Sequence, residues 1–246
     1  MRISRLYVAT ALAEGKCIDL PEEAAHYVRT VLRLKSDQDI IVFNGAGGEF
    51  VSTVQEISRK TVSIAIKHKQ EQDNESPLQI VLGLGIARGD RMDFAVQKAV
   101  ELGVTHITPL VTERCVVQFK GDKKPQRVLH WQKIVQHACE QSGRCVLPEL
   151  IEIEQLEHWL SGQQGLKVFL DPYAQTSLAD LKPEHMLVTL LTGPEGGFSD
   201  REREAAKQAG FIPVRLGSRI LRTETASLAA LSAVQMLWGD FGADQV

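Results

Sequence analysis

The first part of the chain is dominated by short runs in which hydrophobic and polar positions alternate. Such alternation is typical of strands that bury one face only. A longer pattern with helical spacing, from Pro21 to Leu34, interrupts the runs. The strand-like runs cover residues 5–9, 39–44, 49–56 and 61–68. We therefore predict a small β-barrel with one inserted helix.

Farther along, the hydrophobic runs become more continuous, as in parallel strands that are buried on both faces. Helical patterns separate them, and the helix predicted over Arg91–Leu102 has a candidate cap at Asp90 and a stop at Gly103. The strand-like runs cover residues 79–86, 106–111, 167–171, 187–192 and 212–216. This alternation predicts an α/β fold built on a parallel sheet.

A polar stretch from Gln70 to Pro77 separates the two patterns. It ends in proline and has almost nothing to bury, which is typical of a linker. We therefore divide the 246 residues into a barrel at 1–70, a linker at 71–77 and an α/β domain at 78–246. A chain of this length is sufficient for two compact domains.

Two glycine-containing segments follow neighbouring strands of the predicted sheet. Thr192–Ser199 comes directly after the hydrophobic run Leu187–Leu191, and Ser199-x-x-Glu202 has the spacing of a helix capping box. Leu216–Ala226 follows the last predicted strand. One glycine turn alone needs no ligand, but two adjacent strand ends favour a shared ligand site at the carboxyl edge of the sheet.

Neither segment matches a common nucleotide-binding motif. The glycine turn lacks the Lys-Ser/Thr pair with which a phosphate-binding loop neutralises phosphate and holds magnesium. Gly83-Leu84-Gly85 lies inside a strand-like run and has arginine, Arg88, where a dinucleotide fingerprint needs its third glycine. The ligand is therefore expected to contact mainly backbone and hydrophobic groups.

The two segments resemble motifs of a known family. Gly193-Pro194-Glu195-Gly196-Gly197-Phe198 and Leu216-Gly217-x-Arg219-Ile220-Leu221-Arg222-x-Glu224-Thr225-Ala226 are similar to the second and third motifs of the SPOUT methyltransferases. The likeness is greatest to the RsmE family, which methylates N3 of a uridine in bacterial 16S rRNA. Further matches are Arg2-x-x-Arg5, His26-x-x-Arg29-x-x-Leu32-Arg33, Asp90–Asp93, Gln97–Val104, Glu113-Arg114 and Glu140–Arg144.

This resemblance implies features of fold and function that residue spacing alone cannot show. It implies a PUA-like barrel followed by a SPOUT domain whose C-terminal segment forms a deep trefoil knot, a rare exception to unthreaded connections. It also implies a homodimer that binds S-adenosylmethionine without a metal and acts on 16S rRNA, within the 30S subunit. Alternative functions are methylation of a ribose 2′-hydroxyl or of tRNA, and a non-catalytic RNA-binding assembly factor.

The resemblance also assigns candidate site residues. Arg222 is the first candidate to stabilise a deprotonated uracil, because a guanidinium can hydrogen-bond the oxygens that share its charge. Arg114 and Arg144 are the second candidates. The expected cofactor contacts are Leu170, Leu191, Thr192, Gly193, Pro194, Gly196, Gly197, Leu216, Gly217, Ile220, Leu221, Thr225 and Ala226.

An RNA substrate requires clustered cations, yet the net charge of the chain is −3. The basic residues are concentrated locally, since residues 114–144 contain seven Lys and Arg against two acidic residues. This cluster fits either a nucleic-acid surface or an ordinary solvated helix face. The candidate RNA contacts are Arg2, Arg5, Arg29, Arg33, Lys123 and Lys124.

The remaining titratable residues give no general base. Glu195 and Glu224 are expected to cap backbone N–H groups, and His130 and His137 to be structural or RNA-facing. The four cysteines have no metal-ligand spacing, so we expect reduced thiols and no metal. The absence of a leader and of an 18-residue hydrophobic run predicts a cytoplasmic protein without a membrane span.

Overall fold

The computed structural model describes residues 3–72, 74–117 and 123–242, which form two compact units. The first unit combines Met1–Glu75 with Gln136–Leu147, and the second combines Ser76–Val135 with Pro148–Val246. The change of unit after Glu75 falls inside the polar stretch 71–77. We predicted one uninterrupted domain from residue 78 onward, but the segment Gln136–Leu147 belongs to the first unit.

The first unit contains a five-stranded sheet in the order β1-β3-β4-β5-β2. Only β1 and β3 run parallel, and the other neighbours are antiparallel. The strands are β1 (Ser4–Tyr7), β2 (Cys17–Asp19), β3 (Asp39–Phe43), β4 (Glu49–Ile57) and β5 (Val62–Gln70). The four predicted strands are confirmed, whereas β2 was missed because three residues are too few to establish a period.

The predicted helix after Pro21 is confirmed, but its second half is π-helical. It consists of α1 (Glu22–Tyr27) and a π-helical turn (Val28–Leu32). Arg33 then adopts a left-handed conformation with φ of 51°, which ends the helix. The buried side of this element packs Ala25 and Val28 into the hydrophobic core beneath the sheet.

The second unit contains a parallel sheet in the order β12-β10-β11-β6-β7-β8, with the short strand β9 pairing with β7. The strands are β6 (Gln79–Gly85), β7 (His106–Val111), β8 (Glu149–Leu150), β9 (Glu154–Gln155), β10 (Leu166–Leu170), β11 (Leu187–Thr192) and β12 (Ile212–Val214). The five predicted strands are confirmed, and the two-residue strands β8 and β9 were not predicted.

Helices connect these strands. They are α2 (Asp90–Glu101), α3 (Lys123–Ser142), α4 (Leu156–Leu160), α5 (Asp200–Gln208) and α6 (Thr223–Trp238), with a 3-10 turn at Leu178–Asp180. Helix α3 begins among residues of the second unit and ends among residues of the first. Within the described part of the chain, no helix is long and apolar enough to cross a membrane.

The start of α2 differs from the prediction, whereas its end agrees with it. Asp90 is the first helical residue, and the capping position belongs to Gly89, which has no side chain to cap the helix. The predicted Asp90 cap is therefore wrong. Gly89 takes the position because the chain turns there with φ of 57°, which glycine adopts at low cost. The predicted stop is confirmed, since Gly103 has φ of 81° just beyond the helix.

Helix α6 packs against α2 in the second unit. Gln235 is fully buried, donates through Nε2 to the carbonyl of Leu102 at 2.9 Å, and accepts from Ser76 Oγ at 2.9 Å. These bonds connect the end of α6 to the end of α2 and to the start of the unit. Helix α6 begins at Thr223, so its first turn directly follows the arginine-rich segment that precedes it.

Candidate functional site

A cavity of about 460 Å³ opens at the carboxyl ends of β10, β11 and β12. This volume is within the range of small-molecule sites. Three loops line it: the tyrosine loop (Asp171–Tyr173), the glycine loop (Thr192–Phe198) and the arginine loop (Arg215–Arg222). Each loop follows one strand, so the cavity lies where ligands bind in open α/β sheets.

The glycine loop is compact because its backbone passes close to neighbouring groups. The Gly197 N–H donates to the carbonyl of Pro194 at 2.9 Å. A Cβ on Gly193 would lie 3.2 Å from the ring of Phe198, and one on Gly196 would lie 2.8 Å from Cβ of Arg114. Larger residues at these positions would collide with Phe198 or Arg114 and move the loop. The loop therefore presents backbone to the cavity.

The predicted capping box closes the glycine loop at the start of α5. Ser199 N–H donates to Glu202 Oε2 at 2.8 Å, and Glu202 N–H donates to Ser199 Oγ at 3.2 Å. Glu202 is buried, and its Oε1 accepts the N–H of Glu113 at 2.7 Å. One carboxylate thus connects the glycine loop to the segment after β7, which the sequence pattern did not reveal.

The arginine loop is anchored at both ends. Arg215 N–H donates to the carbonyl of Thr176 at 3.0 Å, and Gly217 turns the chain with φ of 74°. At the other end, the buried Ser227 Oγ lies 3.1 Å from Thr192 Oγ1, which connects α6 to the end of β11. Within the described residues, no N–H of residues 216–222 donates to a backbone carbonyl. These groups are available to a ligand.

Six arginines and two carboxylates line the cavity. Three of the arginines have partners. Arg91 pairs with Glu195 at 3.4 Å, and Arg114 Nη1 donates to the carbonyl of Gly196 at 3.2 Å. Arg203 lies 3.8 Å from Asp171 and 5.2 Å from the centroid of the Tyr173 ring. The other three, Arg215, Arg219 and Arg222, are exposed on the arginine loop.

The two glutamates of the motifs have different surroundings. Glu195 accepts the backbone N–H of Arg88 at 3.0 Å, which confirms the expected interaction with a backbone donor. Glu224 makes no such bond, because α6 is preceded by Arg222 as its capping residue and has no side-chain cap. Its Oε2 is buried without a hydrogen-bond partner among the described residues. The expected capping role of Glu224 is therefore wrong.

Most of the residues predicted to bind a cofactor line the cavity. The exceptions are Leu191 and Thr225. Leu191 is fully buried in a hydrophobic cluster with Phe169 and Phe198, on a strand whose next residue, Thr192, lines the cavity. Thr225 is exposed on the first turn of α6. The residues that do line it are Leu170, Thr192, Gly193, Pro194, Gly196, Gly197, Leu216, Gly217, Ile220, Leu221 and Ala226.

Two of the three predicted catalytic arginines line the cavity of the second unit, and the third belongs to the first unit. Arg222 and Arg114 line the cavity. Arg144 belongs to the first unit, where its side chain is 5% exposed and its Nη2 lies 2.6 Å from Glu75 Oε2. The Arg144 Nε also donates to this carboxylate at 3.0 Å. This paired arrangement is typical of a structural ion pair.

The residues predicted to contact RNA differ in how far their side chains are exposed. Arg5 is buried in an ion pair with Glu49 and lies 5.0 Å from the centroid of the Phe43 ring, so it has no surface to offer a phosphate. Arg29 is half-buried, and Arg33 is exposed. Lys123 and Lys124 are the first residues of α3, whereas Arg2 lies outside the described residues.

The tyrosine loop also lines the cavity, although it was not predicted from the sequence. Asp171 accepts the N–H of Tyr173 at 2.9 Å, and the Tyr173 side chain is 70% exposed beside the cavity. A usable signal was present, because this loop directly follows a predicted strand, as the two glycine-containing segments do. No glycine motif marks it. The rule that ligands lie at strand ends would have been sufficient to find it.

The histidines and cysteines lie outside the cavity. His130 Nε2 lies 2.7 Å from Asp93 Oδ2, and Trp131 Nε1 donates to the other oxygen at 3.0 Å, which supports a structural role. Burial raises the pKa of the Cys139 thiol to about 12. Across the described ranges, no group of three or more His, Cys, Asp or Glu residues could hold a metal ion.

Comparison with known proteins agrees with this architecture. Residues 74–235 match the family described as RNA methyltransferase domain, and residues 20–67 match the RNA methyltransferase PUA domain. Ribosomal RNA small subunit methyltransferase E of Buchnera aphidicola (subspecies Schizaphis graminum) is 41% identical over 97% of this chain and 98% of its own length. The protein of that name from Rickettsia conorii is 31% identical over 96% and 97%, respectively.

Solved structures extend the comparison to the fold. Ribosomal RNA small subunit methyltransferase E from Neisseria gonorrhoeae, bound to S-adenosyl methionine, is 39% identical with a TM-score of 0.92 over 98% of this chain and 100% of that one. A Legionella pneumophila protein in complex with bound SAM is 38% identical with a TM-score of 0.95, with the same coverage. The first unit thus contains a PUA-like domain, and the second has the fold of an RNA methyltransferase. The chain belongs to the RsmE family of SPOUT RNA methyltransferases.

Proposed function

We propose that the cavity binds S-adenosylmethionine and that the protein transfers its methyl group to N3 of a specific uridine in 16S rRNA. The observation that carries this proposal is the meeting of the glycine and arginine loops at one cavity. Support also comes from the Neisseria gonorrhoeae relative, which has S-adenosyl methionine bound and is named for an activity on small-subunit ribosomal RNA.

The cradle fits this cofactor. Gly193 and Gly196 allow the glycine loop to pack closely against Phe198 and Arg114, and a Cβ position on Gly197 meets no protein atom within 4 Å, so the backbone there is open to a ligand. The unpaired N–H groups of the arginine loop can donate to polar edges of an adenine or a ribose. Leu170, Leu216, Leu221 and Ala226 provide the hydrophobic part of the lining. S-adenosylmethionine, when bound, supplies an electrophilic methyl group, and the protein must orient it and activate the acceptor.

Arg222 is the residue that we assign to the acceptor. Uridine N3 must lose its proton before it can attack, and the resulting anion shares its charge with O2 and O4. A guanidinium that donates to these oxygens stabilises the anion. Arg222 lines the cavity, is exposed and has no carboxylate partner among the described residues.

The other arginines have positions that favour different roles. Arg114 holds the carbonyl of Gly196, so it positions the glycine loop. Arg91 and Arg203 form ion pairs with Glu195 and Asp171, so these two arginines are engaged with carboxylates of the cavity. Arg144 is paired with Glu75 in the first unit, and we do not assign it to catalysis.

We propose that the arginine loop is part of a trefoil knot. Strand β12 forms one edge of the sheet, whereas α6 packs on α2 and hydrogen-bonds to the end of that helix. The segment that joins β12 to α6 must therefore pass the carboxyl ends of β10 and β11, where the glycine loop lies. A threaded passage at this point would fix the cradle without help from the ligand.

We propose that the PUA-like unit contacts RNA through Arg29 and Arg33. Arg29 Nη1 donates to the carbonyl of Ser58 at 3.5 Å, which places it beside the β4–β5 hairpin with the exposed residues Arg59 and Lys60. Arg29, Arg59 and Lys60 form a basic surface of the kind that holds a phosphate backbone, and Arg33 follows Arg29 by four residues. In the second unit, Lys123 and Lys124 are the corresponding candidates at the start of α3.

We propose that the protein is a cytoplasmic homodimer, acting where 30S subunits are assembled. Four large hydrophobic side chains of the second unit are exposed on or next to α2 and α6: Phe94, Met236, Leu237 and Phe241. Burial of such residues against a second copy would remove them from water. Light scattering after size-exclusion chromatography tests this, with a monomer mass as the contradicting result.

The decisive experiment uses methyl-labelled S-adenosylmethionine with naked 16S rRNA, 30S subunits or bulk tRNA from cells that lack the protein. Labelled 3-methyluridine from 16S rRNA or 30S would support the proposal, and comparing the two would identify the required substrate. A labelled 2′-O-methyl nucleoside, or label in tRNA, would overturn the acceptor. RNA binding without cofactor binding would instead indicate an assembly factor.

A further inference from the structure

The charge of the cavity does not match the cofactor alone. Its lining contains six arginines against two carboxylates, whereas the whole chain has a net charge of −3. S-adenosylmethionine carries a positive sulfonium, so a surplus of four positive charges is not what this cofactor requires. The surplus indicates that a second, anionic ligand approaches the same cavity.

The surplus is concentrated on one loop. Arg91 and Arg203 face carboxylates, and Arg114 is hydrogen-bonded to the glycine loop. Arg215 and Arg219 are exposed, line the cavity and have no carboxylate partner among the described residues. Both are therefore available to an incoming anion at little cost in broken interactions.

Backbone geometry holds these two side chains on either side of one turn. Arg215 is fixed through its N–H to Thr176, directly after β12. Gly217 then reverses the chain in a left-handed conformation, and Arg219 Nη2 lies 3.9 Å from the position that a Cβ on Gly217 would occupy. The guanidinium of Arg219 thus lies over the turn that separates it from Arg215.

We infer that Arg215 and Arg219 form a binding site for phosphate groups of the RNA strand that carries the target nucleotide. The inference rests on the proposed function. Two phosphate contacts beside the cavity would hold the backbone while the base leaves its stack to enter the site. Arg222, three residues after Arg219 and seven after Arg215 on the same loop, would then meet the base.

The test compares Arg215→Ala/Arg219→Ala with the wild type in binding 16S rRNA at several salt concentrations. Each phosphate contact to a single strand contributes about 0.7 to the slope of log K against log salt, so the slope should fall by about 1.4. The KM for RNA should rise about tenfold or more, with the Kd for S-adenosylmethionine unchanged within about twofold. The Arg215→Lys/Arg219→Lys variant should restore most of the slope, because lysine retains the charge.

The matched control is Arg201→Ala/Lys207→Ala, which removes two exposed cations of α5 outside the cavity and should leave the slope unchanged. An unchanged slope in the Arg215/Arg219 variant would overturn the inference, as would an equal loss of cofactor affinity. Binding is measured independently of methyl transfer. A wrong nucleoside product would therefore contradict the proposed function, while the slope would still decide the phosphate site.

Discussion

Gly85, at the end of β6, lies directly against Pro194 of the glycine loop. A Cβ on Gly85 would be 2.5 Å from the backbone nitrogen of Pro194 and 2.7 Å from its Cδ. Two strand-like glycines that matched no nucleotide motif thereby receive a physical explanation. Gly83 faces the ring of Trp159, and Gly85 allows the glycine loop to approach the sheet.

Replacing Gly85 with alanine should therefore displace the loop and weaken S-adenosylmethionine binding. Overpacking of this kind destabilises a fold by about 1–3 kcal/mol, and because a shift of the glycine loop relieves the strain, the Kd should rise about tenfold, as measured by calorimetry. The control is Gly162→Ala, because Gly162 is exposed and a Cβ there meets nothing within 4 Å. Equal affinity in the two variants would contradict the proposed contact with the cofactor.

Glu202→Ala should destabilise the protein more than Ser199→Ala. The first change removes the acceptor of two backbone N–H groups, those of Ser199 and Glu113, at a buried site. We expect a loss of about 2–4 kcal/mol in the free energy of unfolding, against about 1 kcal/mol for the loss of the serine cap. Urea denaturation measures both, and the reverse order would show that the connection to Glu113 contributes little.

Arg222→Ala should lower kcat about a hundredfold or more and leave the Kd for S-adenosylmethionine within about twofold of the wild type. Arg222→Lys should recover only part of the rate, because lysine cannot present the planar fork of a guanidinium to two uracil oxygens. Single-turnover kinetics with saturating RNA isolate this step. A normal kcat with a raised KM would assign Arg222 to RNA binding instead.

Alkylation should distinguish the cysteines. Burial raises the pKa of Cys139 to about 12, so at pH 8 only about one thiol in ten thousand is the reactive thiolate. Iodoacetamide should modify the exposed Cys17 and leave Cys139 unmodified until the protein is unfolded in urea, where both should react. Peptide mass spectrometry follows each site. Rapid modification of Cys139 in the folded protein would contradict the burial of its side chain.

The acid side of the stability profile should depend in part on Asp39. Hydrogen bonds from Lys67 and then Thr53, both at 2.8 Å, hold the pKa of Asp39 below its usual value. The ionised form therefore stabilises the fold above the unfolded-state pKa, about 3.9, and this contribution is lost as pH falls through the folded-state value.

Asp39→Asn should accordingly be destabilising at pH 7 and should approach the wild type as pH falls below 4. Because the Asp39 side chain is 44% exposed, we expect a difference of no more than about 1 kcal/mol at pH 7. Urea denaturation at several pH values measures it. A difference that stays constant with pH would mean that the carboxylate charge is not responsible.

The sequence was sufficient where the information is local. Continuous hydrophobic runs located the parallel strands, and Ser199-x-x-Glu202 located the start of α5, because both patterns report on residues close together in the chain. The burial of Arg5 and Arg144 could not be found this way. Their partners, Glu49 and Glu75, lie 44 and 69 residues away, and an exposed arginine has the same local sequence pattern as a paired one.

The residues of the cavity also differ in whether a local sequence pattern predicts them. Glycine motifs predicted most of the cavity lining, whereas the tyrosine loop has no motif, and its cation–π contact comes from Arg203, thirty residues after Tyr173. Leu191 does not line the cavity for a different reason. Successive side chains of a strand point to opposite faces, and that of Leu191 packs into the hydrophobic cluster with Phe169 and Phe198.

The pairing of Glu75 with Arg144 has a consequence for how this protein could be divided or recombined. A fragment that ends at Glu75 would lose Arg144, which pairs with the Glu75 carboxylate, and the rest of Gln136–Leu147, including the buried Cys145. The PUA-like unit is therefore discontinuous in sequence and cannot be expressed or exchanged as one continuous segment. Domain exchange between relatives would have to carry two separate segments at once.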